Sequence, residues 1–549
     1  MLPSQRKSGM RKRNGKLMRL LGGVMALAAL VVAGLVLYAY KSGLLPPKPP
    51  PVMEPSPAAG DALVMREDIM PEKDSFYKVW DLSFIDLKGR SVSLSDLRGK
   101  PLALMYWNSW CPDCKKTIAG ADQAAQAANM AGGQLVLVAR EGVKGETAGT
   151  AAGTLSSMGI AQTTLLDPGG SAYGRIGLIR VPTILYFRSD GTLMYADTEV
   201  GLSPDAIRAG LDYAENGGRA ATEAFVRDRL LSAQGRVSAR FTVEGDGRIK
   251  PADESLSESQ GLAMRYALVQ EDQPLFDMAY EYVRSSMSVN NLAAWHRKGD
   301  VLEDVNATID DLRIAGALKD AQEAWGGYEA ELAVRAGALK RVLANGYPVD
   351  YIQLHSSGRA PTLTLCYGDL TALRKLADAE PAFSGVADNV QALMLGGRLS
   401  QAFPLYYPRY DFEKARYDGG EIHAAEAMLT LLHLAQDGAL PDDTRDFLIR
   451  WVREGAVYAR YAVQGVPVPG YEYESTATYA MMVMIGCELH DDALIRPALY
   501  RMERLRSFGP GGENGAYVGE AENYTFDTLY ALLAWQALEE EGFPGAVRD

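Results

Sequence analysis

Apolar positions change their spacing three times along the chain. From Leu20 to Tyr40 there are 21 residues without a charge, rich in Leu, Val and Ala. As a helix rising 1.5 Å per residue, such a stretch spans about 30 Å, the thickness of a bilayer's hydrocarbon core. Between 61 and 215 the apolar residues gather into short continuous runs. Leu102–Trp107, Gln134–Ala139 and Thr183–Phe187 read as buried strands with helical segments between them, an α/β alternation. From 216 to 549 they recur at helical spacing, as in Ala224–Leu231, Glu421–Leu432 and Phe526–Ala534, with Gly and Pro as punctuation. About ten to twelve helices of ordinary length fill that segment. A helical-repeat solenoid has a fixed repeat period, which this segment lacks, so a closed all-α toroid fits better, and the motifs below decide between the two.

Charge sharpens the first segment. Residues 1–45 carry eight Lys/Arg and no acid, which leaves 48 basic and 69 acidic residues for the rest of the chain. A body that acidic repels a phosphate backbone, so nucleic acid is excluded as a partner. The basic tail 1–19 ahead of the apolar segment 20–40 predicts an uncleaved single-pass anchor in a bacterial cell membrane, with the amino terminus cytoplasmic and the remainder outside. A cleaved signal peptide is the competing reading, but the segment is long and ends Leu-Tyr-Ala-Tyr-Lys without a small-x-small site. Residues 41–60 follow as a linker, with seven prolines between 46 and 60, and read as a semi-rigid polyproline II spacer.

Candidate chemistry begins at Trp107-Asn-Ser-Trp-Cys111-Pro-Asp-Cys114, directly after the first strand. Cys-x-x-Cys at a strand-to-helix junction places the first sulfur at a helix amino terminus, where the dipole and free N–H groups favour thiolate. That thiolate attacks disulfides and the second cysteine resolves the mixed disulfide. Half a zinc site is the rival, yet no second Cys pair or His pair completes one, and neither a metal nor any other cofactor is expected. Val181-Pro182-Thr183 leads a later strand. With Asp86-Leu-Lys-Gly-Arg90 and Leu94-Ser-Asp-Leu-Arg-Gly-Lys100, these motifs resemble membrane-anchored thiol–disulfide oxidoreductases of the TlpA/ResA type. The resemblance implies a thioredoxin-like fold over 61–215, a redox-active Cys111/Cys114 pair, a cis Pro182 opposite it, and a redox partner protein. The glutamate that family carries three residues after the second cysteine is Thr117 here.

In the helical segment, Leu256-Ser-Glu258-Ser-Gln-Gly261, Leu292-Ala-Ala-Trp295 and Asn306-Ala-Thr-Ile309-Asp310-Asp311 occur in an order that resembles family 8 glycoside hydrolases. Their S-E-G-Q-G glutamate is the general acid of an inverting (α/α)6 enzyme, which here is Glu258. Ile309 stands where the family's A-T-D-x-D motif has its first aspartate. S-E-S-x-G-L, N-A-x-x-D-D-L-R-I and a later Tyr-Asp are closer to hydrolases encoded beside bacterial exopolysaccharide synthases. That likeness makes Asp418 the general base, with Glu421 as rival, and gives Asp310 and Asp311 to substrate contact. Trp295, Tyr367 and Tyr417 are candidate sugar platforms. Single acids near helix starts can equally be caps, and single tyrosines can be packing.

The reading as a whole is a membrane-anchored hydrolase of a β-1,4-glucan-like or exopolysaccharide chain, fused to a thiol–disulfide oxidoreductase. A polysaccharide-binding module that has lost activity, and a protein that works mainly as an envelope disulfide reductase, are the alternatives. Cys366 and Cys487 are either two buried free thiols or a pair that the Cys111/Cys114 dithiol keeps reduced.

Overall fold

The computed structural model describes residues 82–543, apart from 177, 179, 190, 192, 198–201, 217–218, 245–246, 508–512 and 519–522. The basic tail, the apolar segment 20–40 and the proline-rich linker lie outside the described residues. Among those described, no helix is long and apolar enough to cross a membrane.

The first half is a seven-stranded sheet. Its strands are β1 (Ser83–Ile85), β2 (Ser91–Ser93), β3 (Leu102–Trp107), β4 (Gln134–Glu141), β5 (Thr164–Pro168), β6 (Thr183–Phe187) and β7 (Leu193–Asp197), in the order β2-β1-β5-β4-β3-β6-β7. β3, β4 and β5 run parallel, and β6 and β7 antiparallel to their neighbours. Every residue of β3 is buried, because a central strand covered on both faces must be apolar throughout. Its side chains divide by parity. Ala103, Met105 and Trp107 face the core shared with the two following helices, α1 (Pro112–Ile118) and α2 (Ala121–Met130). Leu102, Leu104 and Tyr106 face a second cluster with Tyr173 and Ile176.

The second half is a ring of helical hairpins. Six inner helices are Ser257–Val269, Thr308–Ala324, Leu370–Ala379, Ala424–Gln436, Thr476–Glu488 and Thr525–Glu540. Each packs on the next, and the last packs back on the first, which closes the ring. Five of them also pack on an outer helix: Gln273–Tyr282, Glu329–Leu339, Val386–Gly396, Asp492–Arg504 and, for the sixth, Arg219–Phe225, while Asp442–Glu454 follows the fourth and packs on Asp492–Arg504. Composition explains who goes inside. Thr476–Glu488 reads TATYAMMVMIGCE and is buried nearly all round, whereas Asp442–Glu454 buries only the stripe Thr444, Leu448 and Val452. The twelve described helices of this ring agree with the sequence-based count and with the (α/α)6 toroid.

The two halves touch. Outer helix Asp492–Arg504 lies against edge strand β7, and Tyr500 joins the second apolar cluster of the sheet. The Arg506 guanidinium sits over the Tyr213 ring at 4.5 Å.

Candidate active sites

The amino-terminal ends of neighbouring inner helices meet at one mouth of the ring. Side chains tie adjacent termini together there. Ser257 Oγ donates to Asp310 Oδ2 at 2.6 Å, and Asp527 accepts from Ser475 Oγ at 2.7 Å and from the Ala477 N–H at 2.8 Å.

Glu258 is the second residue of the first inner helix. Asp310 and Arg313 face it from the second inner helix, Asp527 and Tyr530 from the sixth, and Tyr367 and Cys366 from the turn Leu365–Tyr367. Burial, reinforced by the charge of Asp310, pushes its carboxyl up to about 8, against the pull of Arg313. Glu258 thus keeps its proton at neutral pH, the state a general acid needs.

Asp418 ends the rim strand Arg416–Asp418, which pairs with Arg409–Asp411, itself paired with Thr362–Thr364. Thr364, Arg409 and Asp418 stand side by side, so the Asp418 backbone lies about 10 Å from Thr364, at about 5 Å per strand. Thr364 leads into the turn that carries Tyr367. Asp418 is half-buried, its Oδ1 accepts from the Gly419 N–H at 3.0 Å, and no cation pairs with it among the described residues. Glu421, the rival, is exposed and paired with Arg460 at 3.2 Å.

Other predicted residues serve different ends. Asp311 is sealed from solvent. Its Oδ1 accepts from the Ala293 N–H at 2.9 Å and from Arg335 at 3.0 Å, and its Oδ2 accepts from Asn306 at 3.0 Å. With both oxygens taken it presents no face to the cleft, and the substrate contact expected of it gives way to an anchoring place in the framework. The Tyr417 hydroxyl donates to the Leu393 carbonyl at 2.6 Å, and its ring stacks on Tyr407 at 5.9 Å, so packing engages it on both sides. Trp295 remains 39 % exposed, and its carbonyl accepts from the Ser257 N–H at 3.0 Å, which sets an open aromatic face directly beside the Glu258 turn. Tyr367 is half-buried, and burial together with the surrounding carboxylates raises its phenol. Sequence reasoning missed Asp527 and Asp350. Asp350 is raised by burial and accepts from Thr362 and Thr364.

In the sheet half, Cys111 caps helix α1 and forms a disulfide with Cys114; Cys111 is 6 % exposed and Cys114 not at all. The Val181–Pro182 peptide is cis, and the Val181 carbonyl lies 3.8 Å from Cys111 Sγ. The Thr117 hydroxyl donates to the Asp113 carbonyl at 3.0 Å. A carboxylate missed in the sequence stands nearby. Buried Glu146, from the loop after β4, accepts from the Ser109 N–H at 2.6 Å, from Asn108 at 3.0 Å and from Thr150 at 2.8 Å, and so pins the segment leading to Cys111.

Cys366 and Cys487 are both buried free thiols. Cys366 precedes an inner helix at the mouth, and Cys487 lies in the last turn of another at the far face. One helix length of about 15 Å or more separates those two levels, far beyond the roughly 7 Å between Cα atoms that a disulfide tolerates.

Two classes of protein meet in this chain, a thioredoxin-like domain and a glycoside hydrolase domain of the helical-toroid kind. Residues 77–196 match the AhpC/TSA family, and residues 227–345 match glycosyl hydrolases family 8. The second match includes Glu258, Asp310 and Asp311 and ends before Asp418. Over 333 residues the chain is 25% identical to a Bacillus subtilis (strain 168) protein named "Putative lipoprotein YdaJ", covering 58% of this chain and 87% of that one. A solved structure described as a novel alpha-amylase from Clostridium perfringens aligns with a TM-score of 0.52 at 26% identity, covering 58% of this chain and 97% of its own. The thiol-disulfide oxidoreductase ResA of Bacillus anthracis is 24% identical over 109 residues, 20% of this chain and 61% of that one.

Proposed function

We propose that residues 216–549 form an inverting, endo-acting hydrolase of an extracellular polysaccharide, with Glu258 as general acid and Asp418 as general base. Residues 61–215 then form a thiol–disulfide oxidoreductase working through Cys111 and Cys114, and the segment 20–40 anchors both outside the cell membrane. The observation that carries the hydrolase reading is the protonated Glu258 at the mouth of a closed ring, with an ionisable, cation-free Asp418 on the rim strand set.

In such a reaction Glu258 donates its proton to the leaving glycosidic oxygen as the bond breaks. Asp418 takes a proton from the attacking water on the opposite face of the sugar ring, which inverts the anomeric carbon. Trp295 offers a face for an adjacent sugar. A lipoprotein-named relative supports the envelope location, and motif likeness supports an exopolysaccharide or β-1,4-glucan chain. The alpha-amylase from Clostridium perfringens favours a second substrate class, an α-glucan.

The test is reducing-end release by the full chain from soluble β-glucans, starch and purified exopolysaccharides, with and without Glu258→Gln. Activity lost with that change supports the reading. A polymer that binds and is never cleaved replaces it with a binding module. Cleavage that survives Glu258→Gln removes Glu258 as the acid. If an envelope phenotype follows Cys111→Ser alone, the main function is disulfide reduction.

A further inference from the structure

Asp310 stands next to Ile309, the residue that replaces the first aspartate of the family's motif, and the structure gives it an unusual set of donors. It lies in the first turn of the second inner helix, nearly sealed from solvent. One carboxylate oxygen accepts from Ser257 Oγ at 2.6 Å and the other from Arg313 at 3.0 Å, while the Glu258 backbone N–H also donates to the group. Ser257 and Glu258 are the first two residues of the helix that carries the proposed general acid. Asp310 therefore grips the turn that aims Glu258 and lies close enough to act on its charge. With its oxygens occupied by protein donors, it is poorly placed for the sugar contact expected from the sequence.

We propose that Asp310 is a positioning residue for Glu258, holding the first turn of the catalytic helix through Ser257 and the Glu258 N–H and keeping the proton on Glu258 by remaining the charged member of the pair. The proposal rests on the reading of Glu258 as general acid.

The physical reason is the unequal share of donors. Burial raises Asp310 as well as Glu258, and of two buried carboxyl groups that act on each other the proton settles on the member with the poorer set of hydrogen-bond donors. Asp310 has a hydroxyl, a backbone N–H and a guanidinium; Glu258 has no donor of that kind among its described partners. Other groups facing Glu258 do not reverse this. From the second inner helix Arg313 pulls its proton off, but Arg313 is itself bound to Asp310. From the sixth, Asp527 adds negative charge and Tyr530 is neutral. From the turn Leu365–Tyr367, Cys366 and Tyr367 are held neutral by burial. Removing the Asp310 charge takes away the largest acidic influence on Glu258 and frees Arg313 to act on it, two changes of one sign.

The readout is the protonation of Glu258 itself, followed by the infrared carboxyl stretch of the full chain labelled with ¹³C-glutamate, with Glu258→Gln as the subtraction. Wild type should titrate near pH 8. Asp310→Asn should move that midpoint down by about one pH unit or more. Ser257→Ala keeps both charges but takes a donor from Asp310, so part of the shared proton passes to Asp310 and the protonated Glu258 signal at neutral pH should shrink. A midpoint unmoved in Asp310→Asn or, should that variant not fold, a protonated Glu258 signal undiminished in Ser257→Ala overturns the proposal. A sugar-contact role would instead raise KM with the titration unchanged. Because the titration needs no substrate, its outcome is separate from the fate of the general-acid reading, which falls only if Glu258→Gln retains turnover.

Discussion

The Arg335 guanidinium donates to the Asp311 carboxylate at 3.0 Å with both groups withdrawn from solvent, joining an outer helix to the start of its inner partner. Burial pushes Asp311 up to about 6 while Arg335 pulls it down, so the pair is ionised at neutral pH. Asp311→Ala leaves a buried guanidinium unpaired and should destabilise the ring by about 3–5 kcal/mol. Replacing both residues with apolar ones of similar volume should cost far less than two such losses. Urea unfolding of the single and double variants checks this; a single-variant loss below about 1 kcal/mol refutes it.

The raised carboxyl of Glu258 makes stability depend on pH in a defined direction. Its folded value of about 8 exceeds its ordinary value of 4.5, so the native state binds the extra proton. Stability is therefore full below about pH 4.5 and is lost as pH climbs through 8. Glu258→Gln, which has no proton to lose, should gain roughly 2–4 kcal/mol over wild type at pH 9 and little at pH 5. Thermal unfolding at both pH values measures the difference. An equal gain at both refutes the assignment.

Glu146 holds the segment that leads to the Cys111–Cys114 disulfide. Glu146→Ala strands the Ser109 N–H and the Asn108 amide and should cost the sheet half about 1–3 kcal/mol, with slower reduction of insulin disulfides. Glu146→Gln keeps an acceptor oxygen and should lose less. Equal stability of wild type and the alanine variant counts against this role.

Cys366 and Cys487 should resist iodoacetamide in the native protein, because burial keeps each thiol protonated and out of reach. Both should react at once in 6 M guanidinium. Mass mapping of protein made without Cys111 should find no disulfide between them. A Cys366–Cys487 linked peptide from folded protein would contradict the geometry.

Much of this architecture is legible in local pattern. Leu102–Trp107 is a strand because six apolar residues in a row have nowhere else to go, and the helical spacing after 216 gives the ring its helices. Glu258 and the cysteines are found from motifs. What escapes is pairing across the chain. The Ser257–Asp310 bond joins residues 53 apart, and Arg335 reaches Asp311 from 24 residues away. Nothing in Ala-Thr-Ile-Asp-Asp tells which acid faces the cleft and which is sealed. Asp527, Asp350 and Glu146 went unnoticed because a lone acid near a helix start looks like any cap. The rim strands, two or three residues each, are too short for alternation to register.

Ring closure carries a consequence for how the chain acquires its shape. The seam is sealed by Thr525–Glu540 packing on Ser257–Val269, and the same late helix takes its outer partner from Arg219–Phe225, with Arg219 paired to Glu539. Elements some 300 positions apart must therefore meet before Asp527 can face Glu258. A ribosome delivers the sheet half early, with its own local strand pairings ready to form. The toroid stays an open arc with bare apolar flanks until its last helix emerges, so hydrolytic competence arrives as a single late event.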